Sequence, residues 1–212
     1  MKTTLYLVRH GETEWNALGK FQGCKDIALS PQGINQAKYV SDRLKGKFDY
    51  IYSSPLKRAY KTASIIGMQS GVKIKILNDL REINFGAWEG LTVKEIKDNF
   101  PNEFEIWRND ISEAPLCGGD LSIKNAAVRS KNIILNTVKK HEGKRIVMVA
   151  HGGIIKAGLI GIFGWNMTMY HRIALGNTSI CQLNFNEKMQ PTILTLNDTT
   201  HLPDEYKVKS YV

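Results

Sequence analysis

Disulfide and metal-binding patterns are absent from this 212-residue sequence. Its three cysteines, Cys24, Cys117 and Cys181, are odd in number, lie far apart and form no C-x-x-C pair. This spacing predicts neither a disulfide framework nor a zinc site. We therefore expect a protein of a reducing compartment, the cytoplasm, without a metal ion or other cofactor.

The sequence also lacks a hydrophobic run long enough to cross a membrane. The longest nearly apolar stretch, Ile154 to Trp165, is interrupted by Lys156 and is far shorter than the ~20 residues that a spanning helix needs. The apolar stretch from Leu5 to Val8 ends in Arg9 and a histidine rather than in a cleavage site of small residues. We expect neither membrane insertion nor export.

Proline and glycine are too scarce, at 6 and 18 residues, for a fibrous or low-complexity protein. An apolar fraction of 42% and an aromatic fraction of 9% exclude a disordered chain. No internal repeat or linker divides the sequence. We therefore expect one domain over residues 1–212.

The charge is unbalanced, with 29 Lys and Arg against 20 Asp and Glu, a formal net charge of +9. Such a field attracts anions, but no basic cluster or ribonucleoprotein motif points to nucleic acid. Charge alone favours a solvated lysine-rich surface. As a ligand for a positively charged protein, a small phosphorylated metabolite fits at least as well as nucleic acid.

Strand-like and helix-like segments alternate along the chain. Ser30-Pro31 and Ser54-Pro55 each supply an N-cap and a first-turn proline for a helix, and another helix begins at Ile123. Strands are predicted at Thr3–Val8, Tyr50–Tyr52, Val72–Leu77, Arg145–Ala150, Ile180–Phe185 and Thr192–Leu196. This alternation predicts an α/β fold of three layers, α/β/α, with a mostly parallel central sheet and one antiparallel edge strand.

The segment from about residue 78 to residue 120 breaks the alternation. It is rich in glycine and proline around one or two short helices, which predicts a small helical cap inserted into the domain. Its aromatic residues belong either to the core under the cap or to a wall that selects a leaving group; they are Phe85, Trp88, Phe100, Phe104 and Trp107.

Three predicted strand ends carry side chains suited to chemistry. They are Arg9-His10-Gly11, the segment Ser53–Arg58, and His151-Gly152-Gly153. Ligands of α/β sheets bind beyond the carboxyl ends of the strands, so we expect two histidines and two arginines to meet at one edge. Each alone is more often structural, but glycine directly after each histidine allows close approach of backbone N–H groups to a ligand.

This set suits transfer of a phosphoryl group to an imidazole nitrogen. A neutral imidazole is a good nucleophile near pH 7, and guanidinium groups bind phosphoryl oxygens while neutralising their charge. The leaving alkoxide needs a proton, which a carboxylic acid could donate. Glu82, shortly after the third predicted strand, is the candidate, with Glu12 and Glu89 as competitors.

The decapeptide LVRHGETEWN, Leu7 to Asn16, resembles the signature of the histidine phosphatase superfamily, the phosphoglycerate mutase-like fold. Further ordered segments carry the resemblance along most of the chain: Gln22-Gly23, Leu29–Gly33, Ser53–Ala59, Glu82–Gly90, Val149–Gly153, Asn177–Ser179 and Leu196–Thr199.

The resemblance implies a metal-independent phosphomonoesterase that acts through a phosphohistidine. His10 becomes phosphorylated and Glu82 donates the proton. The remaining assignments are a phosphate pocket of Arg9, Arg58 and His151, lined by Asn16, Gln22, Gly23 and Gly152.

Within the superfamily the sequence favours hydrolysis. The segment Asn84–Gly90 resembles small bacterial phosphatases of the broad-specificity, phosphoserine and α-ribazole types, and the stretch from Gly90 to Gly119 is too short for the mutase insertion. One departure weakens the substrate inference: Asp120-Leu121 follows Gly118-Gly119 where such phosphatases commonly have Glu-Ser.

Other interpretations stay open at this point. One is a cofactor-dependent phosphoglycerate mutase-type phosphotransferase, and another is a catalytically silent module that binds phosphorylated ligands. A basic nucleic-acid binder ranks last. The oligomeric state is also open, with a homodimer as one alternative.

Overall fold

The structure, a computed structural model, describes residues 2–206. Met1 and residues 207–212, which the single-domain prediction includes, lie outside the described residues. The described part contains one six-stranded sheet in the order β3-β2-β4-β1-β5-β6. The strands are β1 Thr3–Arg9, β2 Tyr50–Ser53, β3 Ile74–Ile76, β4 Arg145–Ala150, β5 Ile180–Phe185 and β6 Pro191–Asp198.

Strands β3, β2, β4 and β1 pair in parallel, which confirms the mostly parallel sheet. The edge strand β6 pairs antiparallel with β5, and β5 pairs antiparallel with β1. The expected antiparallel edge strand is therefore present. The strand that runs against the other five is β5, because it pairs antiparallel with both β1 and β6. A short turn joins β5 to β6, as antiparallel neighbours allow.

The helices of the described chain are α1 Glu14–Ala17, α2 Pro31–Leu44, α3 Lys57–Ser70, α4 Val93–Asn99, α5 Pro101–Asn109, α6 Ile123–Lys140 and α7 Gly152–Phe163. Short 3₁₀ turns occupy Asn78–Leu80, Gly86–Trp88, Met167–His171 and Asp204–Tyr206.

The sheet is covered on both faces, as the predicted α/β/α layering requires. On one face Val8, Val147 and Val149 pack against apolar residues of α2 and α3. On the other face Leu5 and Leu7 join a larger core formed with α6 and α7. The alternating residues of β1 thus point to different cores, as the two-residue period of a strand dictates.

Helix starts follow the predicted signals in one case and differ in the other. Ser30 caps α2 by accepting a hydrogen bond of 3.0 Å from the Gly33 N–H, and Pro31 is the first helical residue. Helix α3 begins only at Lys57, and its N-cap residue, Leu56, has no capping side chain. The Ser54 hydroxyl, expected to cap this helix, lies 2.7 Å from the His151 ring instead.

The segment between residues 78 and 120 contains two 3₁₀ turns together with α4 and α5. Its tryptophans, Trp88 and Trp107, are buried in the larger core, and Trp107 packs edge-on against Phe21 and Trp88. The helices of this segment therefore share the core of the sheet rather than forming a separate one. Over residues 2–206, no helix is both long enough and apolar enough to span a bilayer.

Close backbone contact between Gly11 and Gly33 fixes the loop after β1 on α2. A Cβ added at Gly33 would lie 2.0 Å from the Glu12 carbonyl oxygen, and one added at Gly11 would lie 2.3 Å from the Gly33 carbonyl oxygen. Both obstacles are backbone atoms, which cannot rotate away. The two glycines therefore allow the contact that holds the residues following β1.

We predict that Gly33→Ala destabilises the protein. Alanine gains about 1 kcal/mol of helix propensity over glycine, but the backbone clash costs more, so the free energy of unfolding falls by about 1–3 kcal/mol net. Urea unfolding of the variant measures this change. The exposed residue Lys38 lies on the same helix, and Lys38→Ala should stay within about 0.5 kcal/mol of wild type. Equal stability of the two variants would contradict the prediction.

Candidate active site

The two histidines meet because of the register between β1 and β4. Arg9 pairs with Ala150 at the carboxyl ends of these parallel strands, so His10 and His151 are the next residues of each chain segment. The His10 N–H donates to the Ala150 carbonyl oxygen at 3.0 Å, which extends the pairing by one residue. The ring centroids lie 5.1 Å apart.

Hydrogen bonds fix the orientation of the His10 ring. Its Nδ1 lies 2.6 Å from the Gly11 carbonyl oxygen, which can only accept, so Nδ1 carries the proton. Nε2 then has a free lone pair, and Arg58 Nε donates to it at 3.2 Å. The ring is thus a neutral tautomer with its nucleophilic nitrogen directed towards a cation.

Arg58, in the first turn of α3, is held on every side. Its Nε also donates to His151 Nδ1 at 3.1 Å, while its terminal nitrogens donate to the carbonyl oxygens of Lys25 at 2.7 Å and Gly23 at 2.8 Å. The side chain is fully buried. One guanidinium group therefore links the two rings and cannot swing out of the site.

Both histidine rings are neutral for a physical reason. Burial lowers the pKa of His10 well below its ordinary value of 6.5, and the positive charges of Arg58 and Arg9 lower it further. Burial, followed by Arg58, has the same effect on the pKa of His151. A protonated imidazole would be a poor nucleophile, so this environment keeps His10 reactive below neutral pH.

Arg9 brings a second buried cation into the site. One terminal nitrogen donates to the Leu175 carbonyl oxygen, but Nε is buried without a hydrogen-bond partner among the described residues. A Cβ added at Gly152 would lie 3.3 Å from this Nε, so the glycine lets the guanidinium group pack against the start of α7. Buried donors without acceptors are costly and indicate a site for an anion.

Glu82 sits at the N-terminus of α7. Its carboxylate accepts hydrogen bonds from the backbone N–H groups of Ile83 at 2.9 Å, Gly153 at 3.0 Å and Ile154 at 2.7 Å. A Cβ at Gly153 would come within 2.7 Å of the carboxylate, so any larger residue here would displace Glu82 from the start of α7.

The competing carboxylates face elsewhere. Glu12 pairs with the Ser30 hydroxyl, and Glu89 accepts from the N–H groups of Cys24 and Phe85. Among residues 2–206, Glu82 is the only acidic side chain that lines the cleft.

These groups open into a cleft of about 250 Å³. Except for His151, the side chains expected around the phosphate line this cleft. Three aromatic residues that the sequence left open as core or wall, Phe85, Phe104 and Trp107, line it as well. The predicted residues that line the cleft are Arg9, His10, Asn16, Gln22, Gly23, Arg58, Glu82 and Gly152. His151 lies behind them, fully buried against Arg58 and Ser54.

A family model described as histidine phosphatase superfamily (branch 1) matches residues 5–199. The chain belongs to this family. It is a histidine phosphatase that acts as a phosphoric monoester hydrolase.

Relatives and solved structures agree with this assignment. Phosphoserine phosphatase 1 of Hydrogenobacter thermophilus is 32% identical over 203 residues and covers 95% of each chain. The metal-independent phosphoserine phosphatase of Arabidopsis thaliana is 36% identical over 73% of this chain and 66% of its own. Phosphoserine phosphatase of Entamoeba histolytica, solved with phosphoserine and with 3-phosphoglyceric acid, is 40% identical with a TM-score of 0.89 and covers 95% of this chain and 100% of its own.

Sequence reasoning missed the side of the cleft opposite Arg58 in this histidine phosphatase. Lys156, Tyr170 and His171 line it together with Arg108 at the mouth. Lys156 could have been noticed in the sequence, because it interrupts an otherwise apolar helix. Tyr170 and His171 belong to a 3₁₀ turn without periodicity, so no pattern placed them there.

Asp120 stabilises the loop that carries Glu82. Its carboxylate pairs with Arg129 at 2.8 Å and accepts from the Asn84 N–H at 2.9 Å. Arg129 in turn donates to the carbonyl oxygens of Asp79 and Arg81. Asp120 does not line the cleft, so the departure seen in the sequence acts on the loop and not on a ligand.

We predict that the His10 and His151 rings stay neutral as the pH falls through 6.5, the ordinary pKa of histidine, because burial and the two arginines lower both pKa values. Because the folded state binds these protons less readily than the unfolded state, the free energy of unfolding also declines as the pH falls below the ordinary value of 6.5. Carbon-13 shifts of the two Cε1 atoms, assigned with His10→Asn and His151→Asn, measure the ionisation. A midpoint near pH 6.5 in the folded enzyme, as expected in urea, would contradict the effect of burial and of the two arginines on these rings.

Proposed function

We propose that this histidine phosphatase transfers the phosphoryl group of a small phosphomonoester to His10 Nε2 and then to water. The observation that carries the proposal is the neutral His10 ring, whose Nε2 lies 3.2 Å from Arg58 Nε at the end of a cationic cleft. The nucleophile and the charge that must stabilise the transition state are thus adjacent.

The phosphate is bound by the two buried guanidinium groups. Arg9 Nε, buried without a partner among residues 2–206, is free to donate to a phosphoryl oxygen, and Arg58 places its positive charge beside His10 Nε2. The buried His151 ring accepts from Arg58 Nε at 3.1 Å and lies 2.7 Å from the Ser54 hydroxyl, so it holds the Arg58 guanidinium group in position for the phosphate.

In the first step the His10 Nε2 lone pair forms a bond to phosphorus while the bond from phosphorus to the ester oxygen breaks. Glu82, entering the step protonated, gives its proton to the leaving oxygen, so an alcohol departs rather than an alkoxide. The Gly11 carbonyl oxygen, 2.6 Å from Nδ1, stabilises the positive charge that develops on the ring.

In the second step water replaces the alcohol. Glu82, now a carboxylate, takes a proton from water as the water oxygen attacks phosphorus and the bond to Nε2 breaks. Inorganic phosphate leaves, His10 is again neutral and Glu82 is again protonated. Two guanidinium groups supply the positive charge, and no step in this sequence requires a metal ion.

The substrates we propose are phosphorylated small metabolites, with phosphoserine as the first candidate. The names of the relatives support this choice, one of them being called metal-independent. A cleft of about 250 Å³ suits a leaving group of a few atoms.

Cellular placement and assembly belong to the same proposal. A cytoplasmic location is supported by the three cysteines, which are free thiols. A single catalytic domain with a cap at about residues 78–120 stays the proposed organisation, and a homodimer stays an alternative.

We predict that 4-nitrophenyl phosphate is hydrolysed in EDTA through an acid-labile phosphoenzyme. Rapid quenching with a radiolabelled phosphomonoester should trap the label on protein, because phosphohistidine is stable only above acidic pH. In His10→Ala the trapped label should vanish and kcat/KM should fall more than about a thousandfold.

The control is the exposed residue Lys139 on α6, where Lys139→Ala should leave both signals in place. Activity that EDTA abolishes and a divalent metal restores would defeat the mechanism. So would a phosphoenzyme that still forms in His10→Ala.

We predict that Glu82→Gln slows alkyl phosphates more than 4-nitrophenyl phosphate. An alkoxide needs a proton to leave, whereas nitrophenolate does not, so kcat/KM should fall about 10²-fold or more for phosphoserine and by less than about tenfold for the aryl ester. The ratio kcat/KM is the measurement because it reports on phosphorylation and not on the later hydrolysis.

Glu12→Gln provides the matched control, since Glu12 competes for this role in sequence and faces Ser30 rather than the cleft. Glu12→Gln should leave kcat/KM for phosphoserine relative to kcat/KM for 4-nitrophenyl phosphate unchanged. Equal losses on both substrates in Glu82→Gln would assign the proton donor elsewhere.

A further inference from the structure

Lys156 is an ionisable group buried in an apolar helix. It lies in α7, between Ile155 and Ala157, which are almost completely buried, and its own exposure is 9%. Placing an ammonium group out of water is costly unless a partner compensates it. The helix would be more stable with an apolar residue here, so the lysine calls for a functional explanation.

Within residues 2–206 no carboxylate lies close enough to Lys156 to form an ion pair, and Glu82 acts on it only from a distance. Its described contact is with the ring of Tyr170, whose centroid lies 5.0 Å from Nζ. Burial and the charges of Arg9 and Arg108 lower the pKa of Lys156 to about 8, while Glu82 opposes them. The Lys156 ammonium group is therefore a buried cation without an ion-pair partner among the described residues.

The position of Lys156 in the cleft determines which part of a bound substrate it can contact. Lys156 and Tyr170 both line the cleft. A Cβ at Gly153 would lie 2.8 Å from the Tyr170 hydroxyl and 2.7 Å from the Glu82 carboxylate, so the hydroxyl and the carboxylate flank the same point. Glu82 is the proposed donor to the leaving oxygen. Lys156 therefore lies on the leaving-group side, beyond Tyr170.

We propose that Lys156 binds a carboxylate on the leaving group, so that the enzyme selects phosphorylated hydroxy acids and amino acids. This inference rests on the proposed function, since the phosphate must occupy the Arg9 and Arg58 end of the cleft. A carboxylate carries the single negative charge that one buried ammonium group lacks. Arg108 at the mouth and the Tyr170 hydroxyl are further donors to the same anion.

The test uses two substrates that differ in one group. In 3-phosphoglycerate a carboxylate stands where glycerol 3-phosphate has a hydroxymethyl group. Wild-type enzyme should prefer 3-phosphoglycerate in kcat/KM, and Lys156→Met should reduce that preference by about 10- to 100-fold, the usual range for a hydrogen bond to a charged group. Lys139→Met removes an equal charge from the exposed face of α6 and should keep the preference.

Each outcome decides the proposal. A wild-type enzyme that does not discriminate between the two substrates overturns it without any variant. If Lys156→Met keeps the preference for 3-phosphoglycerate, the proposal is also wrong. Turnover of 4-nitrophenyl phosphate shows whether this variant is folded. If it is not folded, Lys156→Gln replaces it in the same comparison. Propane-1,3-diol bisphosphate serves as a third substrate. If wild-type enzyme prefers it over 3-phosphoglycerate and Lys156→Met loses that preference, Lys156 binds a second phosphate, and the proposal of a carboxylate ligand is wrong.

The same assays separate this inference from the proposed function. If wild-type enzyme does not hydrolyse 4-nitrophenyl phosphate, the phosphatase mechanism fails. If it hydrolyses the aryl ester but shows no carboxylate preference, only the role of Lys156 fails.

Discussion

His10 and His151 lie side by side because two neighbouring parallel strands end in register. Arg9 of β1 pairs with Ala150 of β4, and the next residue on each strand is a histidine. Arg58 then enters from α3 and donates to both rings. A shift of one residue in this pairing would turn one ring to the opposite face of the sheet and leave Arg58 Nε with a single imidazole acceptor. The site therefore depends first on strand register and only then on the chemistry of its side chains.

Given that register, the site gathers positive charge that the free enzyme does not balance. Arg9 and Arg58 are buried beside a single carboxylate, and burial lowers the pKa of both guanidinium groups and of both histidines. This arrangement costs stability in the absence of a ligand. It also keeps His10 unprotonated and leaves Arg9 Nε without an acceptor among residues 2–206. In the proposed mechanism the same desolvation makes His10 reactive and strengthens binding of a phosphate dianion.

The sequence was sufficient for the sheet and for the residues at the ends of its strands. Alternation of strand and helix predicts which ends share an edge, and that rule alone brings His10, His151 and Arg58 together. The opposite wall was not predictable in this way. Tyr170 belongs to a 3₁₀ turn, and the side from which it meets Glu82 depends on how that turn packs against α7. In the sequence Lys156 stands out as a charge within an apolar run. The wall that its side chain faces depends on the rotation of α7 about its axis, which an apolar run does not predict.

The loop around Asp120 shows why a departure from a family pattern needs a structure for its interpretation. From sequence, Asp120-Leu121 in place of Glu-Ser meant a shorter acid and a lost hydroxyl, and it weakened the inference about substrate. In the fold the Asp120 carboxylate joins Arg129 to the Asn84 N–H, two residues after Glu82. Arg129 also donates to the carbonyl oxygens of Arg81 and of Glu82 itself. Glu82, the proposed proton donor, is therefore held between α7 and this ion pair, and Asp120 contributes to the position of Glu82 rather than to the lining of the cleft. The proposed contact of Lys156 with the leaving group lies on a different wall of the cleft.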